Sequence, residues 1–250
     1  MDVLQIKIIV PLVAAHFLSD FVLQTDSDVN QKNKVKVFIK HIFFVTGVSY
    51  LFLGLFDNYL IPIVILITHS SIDLIKLKIK KDNIWIFLSD QLAHLLAIIF
   101  ISINANLFLD NAVNFFWEIN FGDNYYLVLV LITSVIIVTK FNGIVISYLI
   151  KALQVKIFKT DANSDSLPQT GRIIGYLERF IILISVLMNV PAIIGFLITA
   201  KSILRYAEIK SENDKLFVEY ILIGTLFSFA LGISISYLTN ESIKAMKVIL

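Results

Sequence analysis

Residues 4–24, LQIKIIVPLVAAHFLSDFVLQ, decide how the rest of the chain is read. The stretch is apolar over about 20 residues, the length an α-helix needs to cross the hydrocarbon of a bilayer. Yet it carries His16 and Asp20 inside the run. With one early lysine, no small-residue cleavage site and those two ionisable groups, it predicts a first transmembrane helix and not a cleaved signal. Working outward, comparable windows fall at Val37–Phe56, Leu60–Leu77, Ile84–Ile103, Tyr125–Tyr148, Ile173–Ala200 and Phe217–Leu238. The sequence therefore predicts an all-α polytopic bundle of about seven spans. Its connections are too short for a separate folded domain. We read 1–250 as a single transmembrane domain, with 1–104 carrying a repeat and 125–250 supplying the C-terminal helices.

Composition agrees. Of 250 residues, 58% are apolar and only 16% charged, with 20 Phe against 4 Pro. One soluble domain of this size cannot bury that much apolar surface. A soluble enzyme, a secreted disulfide scaffold and a nucleic-acid-binding module are excluded. A formal charge of +2 leaves no polyanion footprint, and the absence of Cys removes disulfides, thiolate nucleophiles and Cys-ligated metals.

Basic residues set the orientation. Lys32, Lys34, Lys36 and Lys40 cluster at the first connection, Lys76, Lys78, Lys80 and Lys81 at the third, and Lys151, Lys156, Lys159 and Arg172 at the fifth. The second and fourth connections hold no Lys or Arg, only Asp57, Asp110, Glu118 and Asp123. Odd connections are expected in the cytoplasm and the N-terminus outside. One region conflicts: 201–216 carries Lys201, Arg205, Lys210 and Lys215 on what seven spans make the outer side. Either Ile173–Ala200, interrupted by Asn189 and Pro191, turns back as a broken helix, or Glu208, Glu212 and Asp214 offset the bias. The polar stretch Asp161–Thr170 reads as a flexible connection, and Trp85 as an interfacial anchor.

The four histidines, His16, His41, His69 and His94, all fall in spans one to four. Three pair with an aspartate four residues away: His16 with Asp20, His69 with Asp73, and Asp90 with His94. In a helix this spacing puts imidazole and carboxylate on one face. The spacing also repeats. His16 to His41 and His69 to His94 are both 25 residues; Asp20 to His41 and Asp73 to His94 are both 21. Spans one–two and three–four thus read as two copies of one helical hairpin, and repeat interfaces commonly hold sites. All seven groups lie near the odd connections, hence at one depth near the cytoplasmic face. Ionisable groups inside a bilayer are expensive and mark function by default.

Imidazole and carboxylate donors without thiolate suit Zn, Mn or Fe. Seven groups exceed one tetrahedral site, so both a two-ion centre and one ion with aspartates orienting the histidines are open. Around the proposed ligands, Gln24, Lys40, Lys76 and Gln91 flank the same depth. Lys140 and the Glu178–Arg179 pair are candidates to complete the pocket, the arginine suiting an anionic headgroup or phosphate. Lys201, Arg205 and Glu219 read as a second charge cluster pairing spans six and seven.

These residues resemble a known family. His16-Phe-Leu-Ser-Asp-Phe-Val-Leu-Gln24, Lys40-His41, Thr68-His69-x-x-Ile-Asp73-x-x-Lys76 and Asp90-Gln91-x-x-His94 are similar to the bacterial integral-membrane family DUF3307. So are Gly171-Arg-Ile-Ile-Gly175-Tyr-Leu-Glu178-Arg179, Ala200-Lys201-Ser202-x-x-Arg205 and Glu219-Tyr220-x-x-Ile-Gly224-Thr225, which extend the likeness over nearly the whole chain. The resemblance implies a multi-pass protein of the bacterial inner membrane and brings no established activity. The His-x-x-x-Asp helices alone look, more loosely, like those of membrane-bound metal-dependent hydrolases.

Three functions are compatible with the residues. First comes a metal-dependent hydrolase acting on an amphiphilic, lipid-like ester or phosphoester. A metal-ion or proton transporter ranks second, because the His/Asp set does not continue across the outer halves of spans one to four. Third is a non-catalytic, metal-stabilised membrane scaffold for a protein partner.

Overall fold

The computed structural model describes residues 2–79, 81–109, 113–158, 169–206 and 212–249. Among them every regular element is helical. In chain order these are α1 (Val3–Leu18), α2 (Asp26–Asn30), α3 (Val35–Leu53), α4 (Leu60–Lys78), α5 (Ile84–Ile103), α6 (Phe116–Phe121), α7 (Asn124–Ile136), α8 (Asn142–Phe158), α9 (Gln169–Leu187), α10 (Ala192–Tyr206) and α11 (Glu212–Ile249). Two wider π-type turns interrupt continuous helices, Ser19–Leu23 after α1 and Ile137–Phe141 between α7 and α8.

Among the described residues six helices are long and apolar enough to cross a membrane: Val3–Leu23, Val35–Leu53, Leu60–Lys78, Ile84–Ile103, Asn124–Leu153 and Ile221–Ile249. The protein is a helical membrane protein. Large apolar side chains stay exposed on these helices, among them Ile39, Phe43, Leu92 and Leu96. That exposure is unfavourable against water and neutral against lipid.

The expected span Ile173–Ala200 is two helices. Asn189 takes a left-handed conformation (φ 57°), and Pro191 cannot continue a helix beyond its first turn. The chain therefore breaks after Leu187, and α9 and α10 pack against each other. Lys201 and Glu178, about ten residues to either side of the turn, meet at 2.7 Å, as antiparallel helices require. The expected connection Asp161–Thr170 lies, as far as Pro168, outside the described residues; α9 starts at Gln169.

The chain divides into two compact units, Met1–Ile136 with Ile243–Leu250, and Ile137–Ser242. In the first, α1, α3, α4 and α5 close a ring, each packing on two of the others, and α7 packs on α1. Ala14 and Ala15 of α1 are fully buried; small side chains let membrane helices approach closely. One end of the ring is filled by Ile8, Leu12, Val45, Leu53, Ile61, Ile65, Ile98 and Ile101. At that end Lys7 donates to Glu118 (2.5 Å), which also accepts from Tyr126 (3.1 Å). Gly54 ends α3 in a left-handed conformation, and a Cβ there would lie 2.6 Å from the Trp117 ring, so glycine is required twice over. In the second unit, Ile182, Val186, Ile194 and Phe229 form the apolar centre of α9, α10 and α11.

Candidate metal centre

All four histidines lie inside the ring of the first unit and are buried, as are Asp73 and Asp90. Their position follows from the helices. His16 and Asp20 end the α1 segment, where the π turn, closed by Gln24 N–H on the Ser19 carbonyl (3.0 Å), widens the backbone beneath Asp20. Such single-turn bulges recur at functional sites. His69 and Asp73 share one face of α4, Asp90 and His94 one face of α5, and His41 comes from the first half of α3.

Four donor atoms form a cage. His41 Nε2 stands 3.2 Å from His69 Nε2, 3.6 Å from Asp20 Oδ1 and 3.4 Å from Asp73 Oδ2. His69 Nε2 is 3.7 Å from each of the same two carboxylate oxygens. These oxygen–nitrogen separations exceed hydrogen-bonding distance. They match the edge of a tetrahedron about a small ion: bonds of about 2.0–2.1 Å give donor separations of ~3.3 Å. Asp20 Oδ1 and Asp73 Oδ2 are moreover buried without any hydrogen-bond partner. Orphaned carboxylate oxygens in a dry site are costly unless a cation meets them, so the donor set fits a divalent metal.

The remaining groups surround this cage. His94 stacks on His69 with ring centroids 4.0 Å apart. Its Nε2 lies 3.7 Å from Asp73 Oδ1 and 3.8 Å from Asp90 Oδ1 and has no hydrogen-bond partner. His16 Nε2 meets Gln91 Oε1 at 3.2 Å; the amide of Gln91 in turn donates to Asp90 Oδ2 (3.1 Å). Because an amide oxygen only accepts, His16 carries its proton on Nε2. Its unpartnered Nδ1 lone pair then lies 3.7 Å from Asp20 Oδ1. Three donor triads can hold an ion: His16, His69 and His94; Asp20, His41 and His69; and Asp73, Asp90 and His94.

Two lysines complete the charge pattern. Lys76 donates to Asp90 Oδ2 at 2.6 Å. Lys32 reaches from the loop after α2 to Asp73 Oδ1 at 2.9 Å, its side chain only 11% exposed. Lys32 is a site residue that sequence reasoning missed: it is one of several basic residues on the first connection and has no partner at repeat spacing. Lys40 turns outward to grip both carboxylate oxygens of Asp28 (3.0 Å each). Gln24 is near, with a buried Nε2 that has no partner. Together Lys32 and Lys40 fix the 25–34 segment over the cage.

The other expected site residues belong to the second unit. Arg179 donates to the Val138 and Thr139 carbonyls and to Ser228, and Lys140 stands over the Tyr176 ring. Glu178 pairs with Lys201. The expected cluster of Lys201 with Glu219 is thus replaced by a pair within the α9–α10 hairpin, and Glu219 is exposed. The side chain of Arg205 lies outside the described residues.

A ring of membrane helices around a buried His/Asp cage defines a class: polytopic helical membrane proteins with a candidate intramembrane metal centre. Residues 8–121 match the model of the family described as "Protein of unknown function (DUF3307)". The match contains all seven His and Asp positions and ends in α6. The motifs quoted from the second half, from Gly171 to Thr225, lie outside it. No curated protein and no solved structure matches the chain.

Proposed function

We propose that the first unit is a metal centre of a membrane-embedded hydrolase acting on a lipid-like ester or phosphoester. The observation that carries this is the pair of imidazole nitrogens of His41 and His69, 3.2 Å apart and each 3.4–3.7 Å from two orphaned carboxylate oxygens. Asp20, His41, His69 and Asp73 would hold the ion, with Zn, Mn or Fe the suitable identities. His16, Asp90, Gln91 and His94 orient and buffer it. The two hairpins 1–2 and 3–4 each contribute one His-x-x-x-Asp helix and one further histidine, as a repeat would.

Charge favours one ion over two. Of the three carboxylates, Asp73 meets the Lys32 ammonium and Asp90 that of Lys76, while Asp20 meets only imidazoles, leaving one negative charge when the imidazoles are neutral, as ligands must be. One divalent ion turns this into a single positive charge; a second would leave three. A single positive excess suits an anionic phosphoester. The ion's chemistry would be Lewis-acid polarisation of the ester. The protein's part is to exclude bulk water and to present Lys32 and Lys76 as point charges to the substrate's oxygens.

Transport finds less support. Beyond the histidines lies a cavity of about 20 Å³, room for one water, and then the apolar filling of Ile8, Leu12, Ile61 and Ile101. Lys7 at that end is already paired with Glu118. We also read the α9–α10 hairpin as entering and leaving by the cytoplasmic face, which puts the basic 201–216 segment there and leaves six crossings. The DUF3307 likeness points to a bacterial inner membrane.

The test is elemental analysis of the detergent-purified protein beside His69→Ala. About one transition metal per chain is expected in the wild type and almost none in the variant. The wild type should also release phosphate or fatty acid from mixed-lipid vesicles in a chelator-sensitive way. A metal-free wild type whose stability ignores chelators would end this reading.

A further inference from the structure

The second unit holds a buried guanidinium that no carboxylate among the described residues touches: the adjacent Glu178 is turned to Lys201. Among the described residues four lysines pair with a carboxylate: Lys7 with Glu118, Lys32 with Asp73, Lys76 with Asp90, Lys201 with Glu178. Arg179 is 4% exposed. Its Nε donates to the Val138 carbonyl (2.6 Å), Nη1 to Ser228 Oγ (2.8 Å) and Nη2 to the Thr139 carbonyl (3.1 Å). All three acceptors are neutral, and among the described residues no carboxylate pairs with it. Carbonyl contacts satisfy hydrogen bonds but leave the charge uncompensated, which inside a membrane protein is the expensive part.

The guanidinium also keeps unused donors. A guanidinium has five N–H groups; three are spent, and one remains on each terminal nitrogen. Two glycines carry no side chain against that end. A Cβ on Gly175 would stand 3.2 Å from Nη1, and one on Gly143 would stand 3.3 Å from Nη2. Beside it, Lys140 Nζ and Arg179 Cζ are each 5.5 Å from the Tyr176 ring centre. Lys140 is exposed, and among the described residues no acid pairs with it. Next to Gly143, Asn142 is 1% exposed, and neither its Nδ2 nor its Oδ1 has a hydrogen-bond partner. Lys140 and Arg179 thus flank the same tyrosine beside the π turn Ile137–Phe141, and the unengaged Asn142 amide follows the turn directly.

We propose that this turn is a binding site for a phosphate-bearing anion, with the free edge of the Arg179 fork taking two oxygens and Lys140 a third. A planar fork with a point charge beside it suits a tetrahedral oxyanion better than a carboxylate. Lys140 lies on a spanning helix, where a long side chain extends towards the headgroups. The same chemistry serves a lipid phosphodiester or free phosphate. The site stands independently of the metal centre.

The experiment uses the full chain in detergent, with native mass spectrometry counting retained phosphatidylglycerol against phosphatidylcholine, and unfolding temperature measured against inorganic phosphate. The wild type should retain phosphatidylglycerol preferentially, or be stabilised by millimolar phosphate; the first outcome names a lipid, the second a free anion. Lys140→Gln removes one charged contact and leaves the Arg179 hydrogen bonds in place, and Arg179→Lys keeps the charge without the fork. Each should weaken binding about tenfold, as loss of a charge-assisted hydrogen bond does, while metal content stays that of the wild type. Equal retention of both lipids and no phosphate response in the wild type, or binding unchanged in Lys140→Gln and Arg179→Lys alike, would overturn the proposal.

Discussion

At the π turn that ends the α1 segment, Asp20 is ringed by imidazoles; at the π turn that joins α7 to α8, Arg179 is ringed by two carbonyls and a hydroxyl. Both turns widen a helix at a charged position, and both charges meet partners that are neutral or readily made neutral. The residual sign differs. The first region is left with carboxylate oxygens that accept no hydrogen bond, the second with guanidinium N–H groups that donate none. Where a buried charge is not paired within the chain, its sign states what kind of ligand completes it. The first region asks for a cation and the second for an anion.

The sharpest way to break this contrast is Asp73→Ala. It removes a cage donor and leaves the Lys32 ammonium buried without its carboxylate. Removing one partner of a buried pair costs ~3–5 kcal/mol. We expect a large fall in unfolding temperature together with loss of bound metal, read by thermal unfolding and elemental analysis. An unchanged ion content would mean that Asp73 serves Lys32 alone.

Chelation separates the regions next. A ligand that binds only the folded state at a thousand times its Kd contributes ~4 kcal/mol. EDTA should therefore lower the unfolding temperature of the wild type and of Arg179→Lys, but not that of His69→Ala. A chelator response surviving in His69→Ala would place the ion elsewhere. Arg179→Lys itself should lose about 1–3 kcal/mol, because one ammonium cannot reach the Val138 and Thr139 carbonyls and Ser228 as well. Its metal content should equal that of the wild type.

The smallest effect concerns the loop over the cage. Lys40, with Thr25, holds the half-buried Asp28 carboxyl below the usual carboxylate range. A carboxyl with a depressed folded pKa stabilises above its unfolded value and loses that contribution as pH falls through the folded one. Lys40→Met should therefore be slightly less stable than the wild type at neutral pH, with the difference fading in acid. A gap that widens on acidification would show that Lys40 acts through another group.

The sequence made the first unit legible because its signals are local. Apolar windows bound the helices to within a few residues, and i,i+4 spacing put each aspartate on its histidine's face. The repeated 25- and 21-residue intervals set all seven groups at one depth. Lys32 was illegible, since nothing in its neighbours distinguishes a lysine that folds back onto Asp73 from one that stays in water. The α9–α10 hairpin was half legible: Asn189 and Pro191 marked a break, but hydropathy alone cannot tell a kinked crossing from a return. The partner of Lys201 depended on that choice. Both π turns were invisible, because no residue pattern in Ser19–Leu23 or Ile137–Phe141 announces an extra residue per turn.

The hairpin carries a consequence for the two ends of the chain. If α9 and α10 together count as no crossing, the number of crossings is even, and both termini emerge in the same compartment. Alkaline phosphatase and green fluorescent protein fused to either end would then light up, or stay dark, as matched pairs; seven crossings would give opposite readings at Met1 and Leu250.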